Sequence, residues 1–282
     1  MNPDRAPRPD WLKVRAPSGK RVEEVSGTLA RLGLRTVCRE ARCPNVGECG
    51  GAGTATVILL GDVCTRGCAF CNVTAGMPAP PDPSEPERVA KAAAELSWRH
   101  VVVTSVTRDD LPDGGAAHFA SVVRALRREA PEATVELLVP DFAGNVDALR
   151  CVVDAAPDIL AHNVETVPRL YPVVRKGAEY GRSLELLRRA AAMRPSLLLK
   201  SGIMLGFGES EGEVVEVFRD LFAAGCRSIT VGQYLPPSRD HLPLSEYVSP
   251  ERFDLFAEAA RAVGFDRVLS GPLVRSSYYR AG

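Results

Sequence analysis

The stretch ATVILLGDVCTRGCAFC, residues 55 to 71, joins an apolar, β-branched run to three cysteines spaced C-x3-C-x2-C. The run is apolar almost throughout, as in a strand buried on both faces. Runs of the same kind follow at HVVVTSV (100 to 106), TVELLVP (134 to 140), DILAHNV (158 to 164), SLLLKSGIML (196 to 205) and RSITVGQYL (227 to 235), with a weaker one near RVLS (267 to 270). Between them lie sets such as Phe119, Val122, Val123, Leu126 and Val214, Val217, Phe218, Leu221, at the spacing of helices that bury one face. Strand alternating with helix predicts a parallel sheet, and we expect an α/β chain folded as a partial (β/α)6 TIM-type barrel. An open doubly wound sheet is the alternative. The expected boundaries are an N-terminal extension over 1–53, the barrel over 54–240 and a C-terminal extension over 241–282. The three cysteines then follow the first barrel strand, on the face where such barrels carry their sites.

The rest of the chain narrows what that site can be. Of 282 residues 45% are hydrophobic and 25% charged, and 35 basic side chains balance 35 acidic ones. A neutral total provides no field for sequence-independent binding to a phosphate backbone, so nucleic acid is not an expected partner. No apolar run approaches the ~20 residues of a membrane span, and the proline-rich MNPDRAPRPDWLKVRAP has no hydrophobic signal core. The expected location is cytoplasmic, where clustered cysteines serve as metal ligands or reactive thiols more often than as disulfides. KRVEEVSGTLARLGL (20 to 34) reads as an amphipathic helix, and GMPAPPDPSEP (76 to 86) as a connection into a helix at Pro86-Glu87.

Six of the eight cysteines fall between residues 38 and 71. Cys64, Cys68 and Cys71 can converge on one 4Fe-4S core and leave one iron without a protein ligand. A zinc site completed by a distant fourth ligand is the alternative. Cys38, Cys43 and Cys49, spaced C-x4-C-x5-C, are again one ligand short. Cys151 and Cys226 lie in apolar-periodic or strand-flanking sequence and read as small buried hydrophobes. Asp109 and Asp110 read as solvated or capping carboxylates, and His162 as a core or barrel-mouth residue without metal-binding partners. LGFGESEG lacks the third glycine of a dinucleotide fingerprint, Glu211 standing in its place.

CTRGCAFC, with Phe70 before the last cysteine, resembles the CxxxCxΦC signature of radical S-adenosylmethionine (SAM) enzymes, where Φ is aromatic. With CREARCPNVGEC, TSVTRDDLPDGGA, LVPDF, HNVETVPRLY, KSGIMLGFGE, GQYLPPSRDHLP and the terminal RSSY, the chain from Trp11 to Tyr278 resembles the lipoyl synthase family. One departure is Gly50, where many relatives carry an aromatic residue after the third cysteine of the first triplet. The resemblance implies a barrel of the radical SAM class and sulfur insertion at C6 and C8 of an octanoyl chain carried on a protein lysine. It implies two 4Fe-4S clusters. One, on Cys64, Cys68 and Cys71, binds SAM at its open iron and yields a 5'-deoxyadenosyl radical. The other, on Cys38, Cys43 and Cys49, is consumed as sulfur donor and takes a serine oxygen from RSSY: Ser277, with Ser276 as runner-up.

Further implied residues lie at strand ends. Glu165 is the candidate for the ribose hydroxyls of SAM, with Ser105 beside Thr104, Asn163, Gln233, Tyr234 and Phe70 as further contacts. Arg175 and Lys200 are candidates for a SAM carboxylate, for the carrier domain, or for ordinary salt bridges. The implied partners are octanoylated lipoyl carrier domains (2-oxoacid dehydrogenase E2 subunits and the glycine cleavage H protein), an electron donor and an iron-sulfur carrier that rebuilds the consumed cluster. Two other readings are a two-cluster enzyme inserting sulfur into a small molecule or RNA, and an electron-transfer protein without catalysis.

Overall fold

The strand ahead of the second triplet ends at Leu59 because Leu60 (φ 67°) and Gly61 (φ 99°) both take positive φ and turn the chain out of the sheet. The structure, a computed structural model, describes residues 8–14, 18–41, 43–51 and 55–277. In chain order these form α1 (Lys20–Arg31), β1 (Arg35–Thr36), α2 (Val37–Glu40), α3 (Val46–Gly51), β2 (Thr56–Leu59), β3 (Val63–Cys64), β4 (Thr74–Ala75) and α4 (Glu85–Glu95). There follow β5 (His100–Ser105), α5 (Ala116–Glu129), β6 (Thr134–Leu138), α6 (Val146–Asp154), β7 (Ile159–Ala161), α7 (Tyr171–Val174) and α8 (Tyr180–Met193). The chain finishes with β8 (Leu198–Leu205), α9 (Glu211–Ala223), β9 (Ser228–Gln233), α10 (Pro250–Val263) and β10 (Arg267–Gly271).

One sheet runs β1-β2-β5-β6-β7-β8-β9-β10, parallel throughout except that β1 pairs antiparallel with β2. The order never returns on itself, so the barrel is partial, with β1 and β10 as its edges. The RVLS run forms a full parallel strand beside β9, with Arg267 opposite Ser228 and Gly271 opposite Gly232. DILAHNV contributes only Ile159–Ala161; the chain then leaves the sheet and touches it again at Glu165, which bridges Ile203 with φ 65°.

The helices form for the reasons the periodicity implies. Phe119, Val122, Val123 and Leu126 of α5 are fully buried. At roughly 1.5–3 kcal/mol for each large apolar side chain, one such face contributes several kcal/mol. α9 starts with a capping box between Ser210 and Glu213 and buries Val214, Val217, Phe218 and Leu221. LGFGESEG is therefore a helix entry, in which Glu209 accepts hydrogen bonds from the amides of Gly206 (2.6 Å) and Phe207 (2.9 Å). α4 begins at Glu85, one residue ahead of the expected Pro86-Glu87 entry.

Several polar candidates have structural partners. Lys200 pairs with Glu136 (2.7 Å), which also meets His100 Nε2 (3.1 Å), near the strand N-termini and away from the triplet loop. Lys200 is thus the salt bridge of the three roles considered for it, and Lys200 and His100 hold Glu136 below the usual carboxylate range despite its burial. His162 is buried, its Nδ1 donating to the Val139 carbonyl (2.8 Å) while Nε2 accepts from Ser183 (2.9 Å). Burial pulls its pKa down to about 4, so it is neutral. Cys226 lies in the core and Cys151 packs against it.

Candidate functional site

Once β2 has turned at Leu60, the outgoing loop is fixed from several sides. Glu85 accepts the Leu60 amide (3.0 Å) and Arg108 donates to the Leu60 carbonyl (3.3 Å). Val63 and Cys64 then pair with Thr74 and Ala75, closing the triplet loop at its base. Ala69 donates its amide to Val174 O (3.0 Å) and accepts from the amide of Leu242 (3.1 Å), while His241 Nε2 donates to Cys71 O (3.1 Å). The loop is held between the segments that follow β7 and β9.

Its three sulfurs form one electrostatic group: Cys68 interacts with Cys64 and Cys71, and Cys71 with Cys64. Burial pushes the Cys68 thiol up to about 11 and raises Cys71. Thiols so placed stay protonated on their own and need a metal to become thiolates. Cys64 Sγ already accepts the amides of Thr107 (3.3 Å) and Arg66 (3.4 Å), donors suited to a ligating sulfur. Among the described residues, no three His, Cys, Asp or Glu side chains close on a point as ligands of a single metal ion do. Cluster thiolates, each on its own iron, have no such requirement.

Above the loop, the strand ends present unmatched polar atoms. Ser105 Oγ and Asn163 Oδ1 are buried without a protein partner. A buried polar group without a hydrogen bond is costly, so both atoms suit a bound molecule that carries hydroxyl or amino donors. Asn163 Nδ2 donates to Glu165 (3.0 Å), whose carboxyl is raised by burial against the opposing pull of Arg175. Arg175 Nη1 donates to Asn163 O (2.7 Å) and to the Tyr171 hydroxyl (3.1 Å), and its charge reaches Cys68. Glu165 and Arg175 thus sit beside the second triplet with Asn163 bonded to both, Ser105 ends β5, and Phe70 packs on a small apolar cluster that includes Tyr234. Tyr234 stacks on Phe207 (ring centroids 4.2 Å) and donates its hydroxyl to Leu242 O (2.8 Å).

Gln233 is placed differently. Its Nε2 donates to the carbonyls of Leu205 (3.0 Å), Tyr234 (3.1 Å) and Glu246 (3.1 Å), and its Oε1 accepts the Val248 amide (2.8 Å). The amide braces the segment after β9, its Nε2 hydrogens being spent on main-chain carbonyls. Asp109 and Asp110 are exposed, in keeping with the solvated reading, and pair with Arg66 and Arg108. Helix α5 is instead served by Asp113, which accepts the amides of Gly115 and Ala117.

Cys38 and Cys49 of the first triplet lie in two short helices that the glycine-rich sequence did not announce, with Cys43 between them. Thr36 caps α2, which carries Cys38, and Cys49 lies in α3. Cys43 donates its amide to Cys38 O (3.1 Å), and burial raises the Cys38 thiol, with Cys43 adding to the effect. Asn72 Nδ2 donates to Glu40 O (2.6 Å), tying the two triplet segments together. Asn45 Nδ2 donates to Leu273 O (2.6 Å), drawing the chain after β10 onto the first triplet. That chain crosses β9 at Gly232, where a Cβ would lie 3.1 Å from the Val274 carbonyl carbon. Arg275 is half-buried, desolvation lowers its pKa, and it interacts with Cys43. Ser276 and Ser277 follow, half-buried; Tyr278 lies outside the described residues.

Sequence reasoning passed over Arg66, Asp141 and His241. Arg66 Nη2 donates to Asp141 (2.7 Å), and Arg66 holds that buried carboxyl at about 2 although burial opposes it. All three stand inside motifs already noted, CTRGC, LVPDF and SRDHLP, which was the available signal.

Comparison with known proteins adds names to this geometry. A sequence model of the Radical SAM superfamily matches residues 58–221, and one of the N-terminal domain of lipoyl synthase matches residues 1–43. Lipoyl synthase of Alkaliphilus metalliredigens is 53% identical over 274 residues, 97% of this chain and 94% of its own. That of Methylococcus capsulatus is 56% identical over 273 residues, covering 96% and 85%. Among solved structures, methylornithine synthase superposes with a TM-score of 0.56 at 15% identity, over 88% of this chain and 74% of its own. Streptococcus suis SuiB bound to its precursor peptide gives 0.60 at 11%, over 88% and 52%. At such identities the structural likeness speaks for the fold alone.

Proposed function

The chain belongs to the lipoyl synthase family of radical SAM enzymes, and from that premise we propose how its residues divide the work. The reaction is insertion of sulfur at C6 and C8 of an octanoyl chain on a protein lysine. Neither carbon offers an acidic proton, so side-chain acid-base chemistry cannot reach it. When bound, a 4Fe-4S cluster with SAM supplies hydrogen abstraction from such a C-H bond, and a second cluster supplies sulfur.

Cys64, Cys68 and Cys71 would hold the first of these groups as thiolates. Ser105 Oγ and Asn163 Oδ1 bind SAM through the hydrogen-bonding capacity the protein leaves unused. Glu165, kept in place by Asn163, accepts from the ribose hydroxyls, and Arg175 balances its charge. Phe70 and Tyr234 contribute an apolar wall. Cys38, Cys43 and Cys49 hold the second cluster, with Ser277 as the fourth ligand. A hard oxygen ligand beside three thiolates suits a cluster that must come apart.

The extensions at 1–53 and 241–282 then act together, the N-terminal one supplying the thiolates and the C-terminal one the serine. The octanoylated carriers are lipoyl domains of 2-oxoacid dehydrogenase E2 subunits and the glycine cleavage H protein. An electron donor and an iron-sulfur carrier serve the two clusters, in the cytoplasm.

The observation that carries this account is the joining of both triplets and the serine segment by two hydrogen bonds, Asn72 to Glu40 and Asn45 to Leu273. The test is anaerobic turnover of reconstituted protein with SAM, a reductant and an octanoyl-lysine peptide, read by mass spectrometry. The dithiolane product is expected from the unsubstituted chain. Cys64→Ala abolishes deoxyadenosine as well as product, whereas Cys38→Ala abolishes product and leaves deoxyadenosine. Loss of deoxyadenosine in Cys38→Ala as well would refute the division of labour.

A further inference from the structure

The structure assigns Arg66 a positioning role: we propose that its guanidinium pins the spacer between Cys64 and Cys68 to the ends of β5 and β6, and thereby sets how the second triplet presents its cluster to SAM. The inference deepens the reading of that triplet as the SAM-binding cluster site and rests on it.

Arg66 stands in the middle of the C-x3-C spacer, yet its side chain is only 8% exposed. Nε and Nη2 fork onto the two oxygens of Asp109 at 2.7 and 2.8 Å, and Nη2 also reaches Asp141 at 2.7 Å. Asp141 has a fully buried side chain, accepts the Ala143 amide (3.0 Å) and takes a second cation from Arg182 (3.3 Å). Paired exposed charges contribute little, but a forked arginine closed onto a buried carboxylate fixes both distance and angle.

The backbone repeats the same attachment. Thr65 donates its amide and its hydroxyl to Thr107 O, each at 3.0 Å, and its hydroxyl accepts the Asp109 amide (3.1 Å). Thr107 in turn donates its amide to Cys64 Sγ (3.3 Å). A continuous set of contacts therefore runs from buried Asp141 through Arg66 and Asp109 to Thr65, Thr107 and the Cys64 sulfur. Gly177, after α7, packs on the same side chain, since a Cβ there would meet Arg66 Cδ at 3.5 Å. The Arg66 amide donates to Cys64 Sγ (3.4 Å), while its guanidinium bonds Asp109 and Asp141 and neither a thiol nor the polar atoms left for SAM, so the side chain acts through the loop.

The test uses the full chain, reconstituted anaerobically, as Arg66→Ala, Arg66→Lys and Asp109→Asn. Iron content, the EPR spectrum of the reduced protein with and without SAM, and deoxyadenosine formed per sulfur inserted are all measured. Arg66→Ala is expected to keep the first-triplet irons, to lose or blunt the SAM-induced change in the EPR signal, and to make several-fold more deoxyadenosine per sulfur inserted. Arg66→Lys keeps the charge without the fork and falls between. A wild-type EPR response to SAM in Arg66→Ala overturns the proposal. If Arg66→Ala does not fold, Asp109→Asn decides: its carboxylate is partly exposed, and it must show the same spectral change in weaker form, a wild-type spectrum again overturning the role. Cys64→Ala separates the underlying reading, because unchanged iron and EPR in that variant would remove the cluster from this loop altogether.

Discussion

Replacing Gly232 with alanine tests what seats the serine segment on the first triplet. A Cβ at residue 232 would overlap the Val274 carbonyl oxygen outright and sit 3.1 Å from its carbon, with Arg275 Nη1 at 3.5 Å. Both of the nearest atoms are backbone, so no rotamer change relieves the contact. Carbon-oxygen approach stops at roughly 3.3 Å, which requires the crossing segment to rise by about 1 Å. Overpacking of this kind costs about 1–3 kcal/mol, a loss of roughly 2–12 °C in Tm at 2–4 °C per kcal/mol for a chain of this size class. The functional loss is larger than the stability loss, because metal sites tolerate only about 0.2 Å in ligand distance. With Ser277 lifted, the first-triplet cluster is expected to be lost while the second is retained, since Cys64, Cys68 and Cys71 are not anchored through that segment. Iron and sulfide analysis should fall from about eight irons per chain toward about four, matching Ser277→Ala, with deoxyadenosine still formed and product absent. Gly232→Ala protein with about eight irons and full turnover would refute the reasoning, as would equal loss of both clusters.

Three other outcomes follow from buried polar groups. Gln233→Leu leaves the Glu246 carbonyl and Val248 amide without the amide that binds them, and is expected to cost about 2–5 kcal/mol. Denaturant titration measures the loss, and faster amide exchange at Val248 locates it; unchanged protection there would contradict the bracing role. Lys200→Met leaves Glu136 with His100 alone and should destabilise by about 3–5 kcal/mol, whereas the Lys200→Met/Glu136→Leu pair should recover most of it; additive losses would argue against coupling. For His162 the folded pKa is depressed from 6.5 to about 4, so the unfolded chain binds the proton more readily. Stability is then fully present above about 6.5 and falls by about 3 kcal/mol as pH drops to about 4. Arg175 and Arg66 face His162 and favour this, and Asp141 opposes it. Urea midpoints at pH 7 and 4.5 should differ less in His162→Gln; an equal drop in both proteins would assign the pH dependence elsewhere.

Much of the fold was legible because burial leaves its mark on sequence. Two-sided burial made the strands continuous in Val, Ile and Leu, and one-sided burial gave α5 and α9 their spacing. The two cysteine triplets stood out in the sequence because their close spacing is rare outside metal and cluster sites, and the structure draws the two segments together through Asn72 and Glu40. What escaped was decided by partners distant in the chain. Gln233 looks like a strand-end cofactor contact until the Glu246–Val248 segment comes down on it. Asp109 and Asp110 read as solvated or capping carboxylates, and nothing in the sequence signals that each meets an arginine, one of them 43 residues away. Short α2 and α3 carry no periodicity long enough to read; Thr36 caps α2, and Asn45, ahead of α3, reaches across to Leu273.

Backbone strain was also invisible to pattern reading, and its distribution ties fold to function. Among the described residues, six non-glycine positions take positive φ: Leu60, Ser97, Phe142, Ala143, Ala156 and Glu165. Leu60, Phe142, Ala143 and Glu165 follow the C-terminal ends of β2, β6 and β7, on the face that carries the second triplet. Such conformations cost on the order of 1–3 kcal/mol each and persist only where surroundings enforce them. Here they are enforced: Glu85 and Arg108 hold the Leu60 peptide groups, Asp141 holds Ala143, and Gly202 and Met204 bond the backbone of Glu165. Leu60 turns the chain so that Cys64 can return to the mouth, and Glu165 is brought back to the sheet edge beside Asn163. Asp141, which fixes one of these turns, also grips Arg66. The strained backbone and the pinned cysteine loop therefore share one set of charged residues, and a substitution at Asp141 should disturb both together.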